Sequence, residues 1–189
     1  MEALRNRILR EGRIQPGGII NVDGFLNHQV DTRFLGELAD ELVRRMDLSG
    51  VTKILTAEAS GIPLATVCAY KMGLPMVFAK KVKGENLEEP LYKSTIFSFT
   101  YQRPTTLVCS VEQLGKEDTV LIVDDFLANG QAIRGLIDIV GQAGAQVAGI
   151  AVAIEKGFQT GGARLRAEGY RVESLVIVDK ADKDGFVFR

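Results

Sequence analysis

Two neighbouring carboxylates, Asp124 and Asp125, close the apolar run Val120 to Val123 and precede a loop of small and amide residues, Ala128-Asn129-Gly130-Gln131-Ala132. The run reads as a buried strand with both acids at its carboxyl end, and the loop as the entry to an amphipathic helix. In an open α/β sheet ligands bind beyond the carboxyl ends of strands, and the first turn of a helix offers N–H groups without intrahelical partners. The spacing predicts a phosphate pocket. Backbone donors and the side chains of Asn129 and Gln131 would hold the anion, with Gly130 permitting close approach. Because carboxylates repel phosphate, Asp124 and Asp125 must face another part of the same ligand: ribose hydroxyls, a bound Mg²⁺ or a developing positive charge. A phosphorylated sugar meets that demand. The plainer alternative has the two acids solvate a strand end or cap the helix, and Gly130 merely make the turn. Two other phosphate motifs are excluded, since no Lys-Ser or Lys-Thr pair follows Gly130 and Ala128, Asn129 and Gln131 interrupt any GxGxxG pattern.

Three further groups follow expected strands. Glu58-Ala59-Ser60-Gly61 comes after KILTA, Lys80-Lys81 closes PMVFA with Lys83 just beyond, and Glu155-Lys156 comes after VAGIAVAI with Phe158 two residues on. If these strands lie side by side, all four groups converge on one edge of the sheet. Each also has an ordinary reading: a Ser-Gly turn before a helix-starting Pro63, a solvated basic loop, a core aromatic. His28 is the only histidine, and a single loop histidine is read as structural.

The elements that must position these residues follow from periodicity. Leu4, Ile8 and Leu9 mark a first helix ending at Gly12, and Gly17-Gly18 leads into a short strand from Ile19 to Val22. Asp31 or Thr32 can cap a helix whose stripe is Leu35, Leu38, Ala39, Leu42, Val43 and Met46. From Thr52 a strand, loop, helix, strand pattern reads as one βαβ unit, and a second begins at Val120 with its helix closed near Gly144. STIFSFT and TTLVCSV alternate as antiparallel strands about a turn at Gln102 to Pro104, and the polar stretch from Lys80 to Lys93 suggests a lid. The fold class is therefore α/β, with a mainly parallel twisted sheet covered by helices on both faces. The 189 residues form one domain, in which residues 1–30 contribute to a small hood and 80–100 comprise the lid and antiparallel strands.

Composition narrows the function. Lys and Arg number 23 against 24 Asp and Glu, so no global field favours nucleic acid or membrane, and an anion site must be local. Cys68 and Cys109 lack CxxC spacing and read as buried thiols in a reducing cytoplasm. A zinc site is not expected. The segment MEALRNRILREG lacks the apolar core of a signal peptide.

VLIVDDFLANGQA closely resembles the phosphoribosyl pyrophosphate signature of the type I phosphoribosyltransferases. With IINVDGFLNHQVD, VTKILTAEASGI and AIEKGFQ, the likeness extends over nearly the whole chain to the bacterial branch of that family acting on xanthine. It implies a core of about five parallel strands between roughly Asp31 and Val178. It implies transfer of ribose 5-phosphate from phosphoribosyl pyrophosphate to N9 of xanthine, with Mg²⁺ as cofactor, in purine salvage by a cytoplasmic homodimer. Asp124 and Asp125 become catalytic; no residue is assigned directly to the metal, Mg²⁺ being reached through the substrate, with these two acids as the candidates beside it. Ala128, Asn129, Gly130, Gln131, Ala132, Ser60, Gly61, Lys80 and Lys81 would bind phosphoribosyl pyrophosphate. Ile20, Asn27, Lys156 and Phe158 would bind the base, with Lys156 donating to its 6-oxygen and disfavouring an amino group there.

The chain departs from the family pattern at Ala128. In related hypoxanthine-guanine enzymes an acid at this place can take the purine proton, so the loop supplies no general base here. Alternatives are a guanine or hypoxanthine phosphoribosyltransferase, or a purine-responsive regulator that binds nucleic acid. The latter would need an added domain that the residues before Asp23 are too few to build. A receiver-like phosphoacceptor domain is disfavoured because its acidic pair lies early in the chain.

Overall fold

The computed structural model describes residues 1–82, 90–98 and 103–189. Of the expected lid, Lys83 to Glu89 lie outside the described residues, as do Phe99 to Gln102, the last of which begins the expected turn. The elements in order are α1 (Glu2–Glu11), β1 (Arg13–Gln15), β2 (Ile19–Asn21), a π-helical turn (Asp23–Asn27), α2 (Thr32–Arg45), β3 (Lys53–Ala57), α3 (Gly61–Met72) and β4 (Met76–Val82). There follow β5 (Leu91–Ser98), β6 (Arg103–Ser110), β7 (Thr119–Leu127), α4 (Gln131–Gln142), β8 (Gln146–Lys156), α5 (Gly161–Ala167), β9 (Val172–Asp182) and β10 (Gly185–Phe188).

One eight-stranded sheet runs in the order β10-β9-β8-β7-β3-β4-β6-β5. Its centre, β9-β8-β7-β3-β4, is parallel throughout, while β10 at one edge and the β6-β5 hairpin at the other are antiparallel. The five parallel strands match the expected core. Pro104 is not in a turn but inside β6, opposite Phe97. β1 and β2 form a separate two-stranded sheet.

Strand alternation divides the core in two. Leu121 and Val123 of β7 pack with Leu4, Leu38, Leu64 and others from α1, α2 and α3, while Val120 and Ile122 face Leu136 and Ile139 of α4 and Leu165 of α5. Period-2 side chains on a strand with helices over both faces make every residue of such a run apolar. Local signals set the helix limits. Asp31 caps α2 by accepting the Phe34 N–H at 3.1 Å and also receives Arg7 at 3.0 Å. Cys68 and Cys109 are free and buried, and burial pushes the Cys68 thiol up to about 12. Among the described residues no helix is long and apolar enough to cross a membrane.

Candidate active site

The loop after β7 forms one wall of a cavity of 480 Å³. Gly130 starts α4 with φ of 80°, a left-handed turn that glycine adopts without steric cost, and no side chain caps the helix. The first-turn N–H groups of Gln131, Ala132 and Ile133 therefore have no intrahelical acceptor, and all three residues line the cavity with Ala128, Asn129 and Gly130. Lys81 and Lys156 supply two cations to the wall, and Gly17, Gly18 and Ile19 from the amino-terminal hairpin close another side. Ile96, Phe97 and Thr105 complete it from β5 and β6. A separate cavity of 590 Å³ beside α1 and β9 contains none of these residues.

Lys156 ends β8 with its ammonium 5.5 Å from the centroid of the Phe126 ring. Burial lowers its pKa, and the charge of Asp125 acts in the opposite direction. The preceding residue points the other way: Glu155, 3 % exposed, accepts both arms of Arg166 at 2.8 and 2.7 Å and the Ser174 hydroxyl at 2.5 Å.

The acidic pair lies beside the cavity wall rather than in it. β7 does not stop at the acids but continues to Leu127, because β8 keeps pairing with it as far as Glu155. Asp124 and Asp125 are 6 % and 5 % exposed. Asp125 accepts the Ser60 hydroxyl at 3.0 Å, and Asp124 accepts the Asp125 N–H at 3.0 Å. Burial pushes the Asp124 carboxyl well up from its ordinary range, reinforced by the charge of Asp125 and a carboxyl-to-carboxyl hydrogen bond; Lys81 opposes this. Gly61 has to be a glycine for space, since a Cβ there would stand 2.2 Å from the Thr56 hydroxyl and 2.5 Å from Asp124 Oδ1. The Thr56 hydroxyl is itself buried without a partner.

The expected site residues divide by geometry. The loop 128–132, Lys81 and Lys156 surround one cavity, with Ser60, Gly61, Asp124 and Asp125 forming a polar cluster next to it. Lys80 pairs with Val108 one register position before Lys81, so strand alternation turns it away from the cavity. The same rule separates Ile19 from Ile20: Ile19 is 51 % exposed and lines the cavity, while Ile20 is 5 % exposed and packs in the core. Asn27 lies in the π-helical turn outside the cavity wall, its Oδ1 buried and unpartnered. Phe158 is half-exposed beside Gly18. Lys83 lies outside the described residues. Sequence reasoning passed over Phe126, Gln159 and the Gly17-Gly18 hairpin, though a double glycine before a short strand was a usable signal of close approach.

The phosphoribosyl transferase domain family matches residues 27–179, which contain the whole loop, the acidic pair and Lys156. The chain belongs to that family. This phosphoribosyltransferase-family chain is 44% identical over 189 residues to the xanthine phosphoribosyltransferase of Alkaliphilus metalliredigens, covering all of this chain and 94% of that protein. It is 49% identical over 179 residues to the xanthine phosphoribosyltransferase of Pseudomonas savastanoi pv. phaseolicola, covering 95% of each. The adenine phosphoribosyltransferase structure from Thermoanaerobacter pseudethanolicus superposes with a TM-score of 0.73 at 23% identity, over 92% of this chain and 99% of that one. That likeness establishes the type I fold of the family for this chain.

Proposed function

We propose that this chain transfers the 5-phosphoribosyl group of phosphoribosyl pyrophosphate to N9 of xanthine, releasing pyrophosphate and forming xanthosine 5′-monophosphate. The observation that carries the reading is the single cavity on which the open α4 amino terminus and the Lys156 ammonium converge. The near full-length identity to proteins named xanthine phosphoribosyltransferase supports the choice of base.

In this reading the α4 amides and Asn129 or Gln131 hold the 5′-phosphate. Lys81 faces the diphosphate, with Ser60 and Gly61 alongside, and offsets the charge that grows as the C1–O bond breaks. Asp124 and Asp125 orient the ribose hydroxyls and place negative potential near C1 as positive charge accumulates there. Among the described residues no group of three or more acidic, histidine or cysteine side chains could hold a metal. The buried acidic pair nevertheless suits Mg²⁺, which takes one or two carboxylates and completes its shell with substrate oxygens and water. Bound there, Mg²⁺ would screen the diphosphate and ribose oxygens. Ile20, Asn27 and Phe158, with the hairpin as a hood, belong to the base side, and Lys156 donates to the 6-oxygen. With Ala128 in the loop, we read xanthine as arriving already ionised at the site. The assembly is read as a cytoplasmic homodimer.

A competition assay with xanthine, guanine, hypoxanthine and adenine, each supplied with phosphoribosyl pyrophosphate and Mg²⁺, tests the assignment. Xanthine should give the highest kcat/KM and adenine the lowest. Preference for adenine would overturn the role of Lys156, and preference for guanine or hypoxanthine the choice of base.

A further inference from the structure

The carboxylate of Glu155 belongs to no part of the proposed chemistry, yet it is among the most buried charges in the molecule at 3 % exposure. It is held from two sides. Arg166 on α5 makes a two-armed pair with it, Ser174 on β9 donates to it, and the same guanidinium reaches the Val172 carbonyl at 3.3 Å. A planar fork on a carboxylate fixes direction as well as distance. This cluster ties α5 to the ends of β8 and β9. Gly162 fits the cluster only because it lacks a side chain, as its Cβ would stand 2.0 Å from Glu155 Oε1.

The other glycine of the pair faces the phosphate loop. A Cβ on Gly161 would lie 2.2 Å from the Ala128 carbonyl oxygen, 2.6 Å from the Gly130 nitrogen and 2.7 Å from the Asn129 carbonyl carbon. Its φ lies outside the left-handed region, so the requirement is space, not backbone conformation. All three atoms are backbone, which cannot swing aside as a side-chain end can. The loop is thus braced from behind by the first residue of α5, and α5 is fixed by Glu155, the immediate neighbour of Lys156.

We propose that Gly161 and the Glu155–Arg166–Ser174 cluster are positioning residues that set the phosphate loop and Lys156 at a fixed separation, so that both ends of the forming nucleotide are gauged against one brace. This rests on the reading given under Proposed function. It extends that reading to residues that touch neither substrate.

The test uses steady-state kinetics on the full chain, varying phosphoribosyl pyrophosphate and xanthine separately. Gly161→Ala should raise KM for phosphoribosyl pyrophosphate about tenfold or more, with KM for xanthine changed less than about twofold, because a displaced loop loses at least one backbone hydrogen bond to the charged phosphate, and such a bond is worth about this factor in binding. Arg166→Lys, which keeps the charge but loses the fork, should raise both KM values, since it frees α5 and the end of β8 together. General destabilisation lowers the active fraction and hence kcat while leaving both KM values in place. If Gly161→Ala does not fold, Arg166→Lys and the milder Ser174→Ala carry the test, with both KM values rising and the larger effect in Arg166→Lys. Wild-type turnover is measured first. If the wild type turns over phosphoribosyl pyrophosphate with xanthine but the variants change only kcat, the brace is refuted and the functional reading stands. If the wild type shows no such turnover, both fall.

Discussion

Replacing Asp124 by Asn should remove a stabilisation by acid over the mildly acidic range. Burial and the adjacent Asp125 hold the Asp124 carboxyl well above its ordinary value of 3.8. The sign follows from linkage. Between the ordinary value and the raised one, the folded chain carries a proton here that the unfolded chain does not, so folding is favoured as pH falls through that window. The slope is about 1.4 kcal/mol per pH unit for one proton. For a chain of 189 residues that corresponds to about 3–5 °C in Tm per pH unit. The Asn amide cannot titrate, and its NH₂ can donate to Asp125 in place of the shared proton. Asp124→Asn should therefore lack this acid stabilisation and be the more stable protein at alkaline pH, with turnover lowered about a hundredfold or more. Scanning calorimetry of both proteins from about pH 5 to pH 8 measures the difference in slope. Taking the difference removes contributions common to both, such as the amino terminus, whose pKa burial lowers. The depressed carboxyls also cancel. Glu41, held down to about 2 by Arg44 and Arg45, loses its contribution only at lower pH. Parallel Tm profiles for the two proteins would refute the shared-proton account of the acidic pair.

With Ala128 where an acid could have served as base, kcat/KM should rise with the ionised fraction of xanthine and fall again as Lys156 loses its proton, at a pH below that of an ordinary lysine because burial lowers its pKa. A rate profile flat across the titration of xanthine would remove the ionised-base reading. On the fold, the Gln142 side chain mimics a neighbouring strand for β5, accepting the Lys93 N–H at 3.1 Å and donating to its carbonyl at 2.8 Å. Gln142→Ala should lower stability by about 1–2 kcal/mol and speed hydrogen exchange at the Lys93 amide. Unchanged protection there would show that the contact is not made in solution.

Much of this arrangement was legible in the sequence because it is local. Apolar strands alternating with helices identified the mainly parallel sheet, the family resemblance supplied its count of about five parallel strands, and Gly130 with its neighbours placed the open helix start. Lys80 and Lys81 show where such reasoning stops. Adjacent in sequence, they lie on opposite faces because both are inside β4, and only the observed strand limits reveal it. Ile19 and Ile20 differ for the same reason. The Glu155–Arg166 pair was equally hidden: each residue alone is an ordinary charge, and only α5 packing on the sheet brings them together. The extent of β7 was underestimated since strand length depends on the partner, and β8 continues pairing past the acids.

The missing side chain at Gly61 has a consequence for how the protein should be mapped by mutation. Alanine scanning assumes that alanine subtracts atoms, and it customarily leaves glycines untouched. Here alanine adds an atom where the Thr56 hydroxyl and Asp124 already converge. A conventional scan would then attribute function only to the acids and lysines and pass over the empty space that keeps them in place. For this site the informative library is one of insertions by single methyl groups, read in order of the distance each new carbon would have to its nearest neighbour.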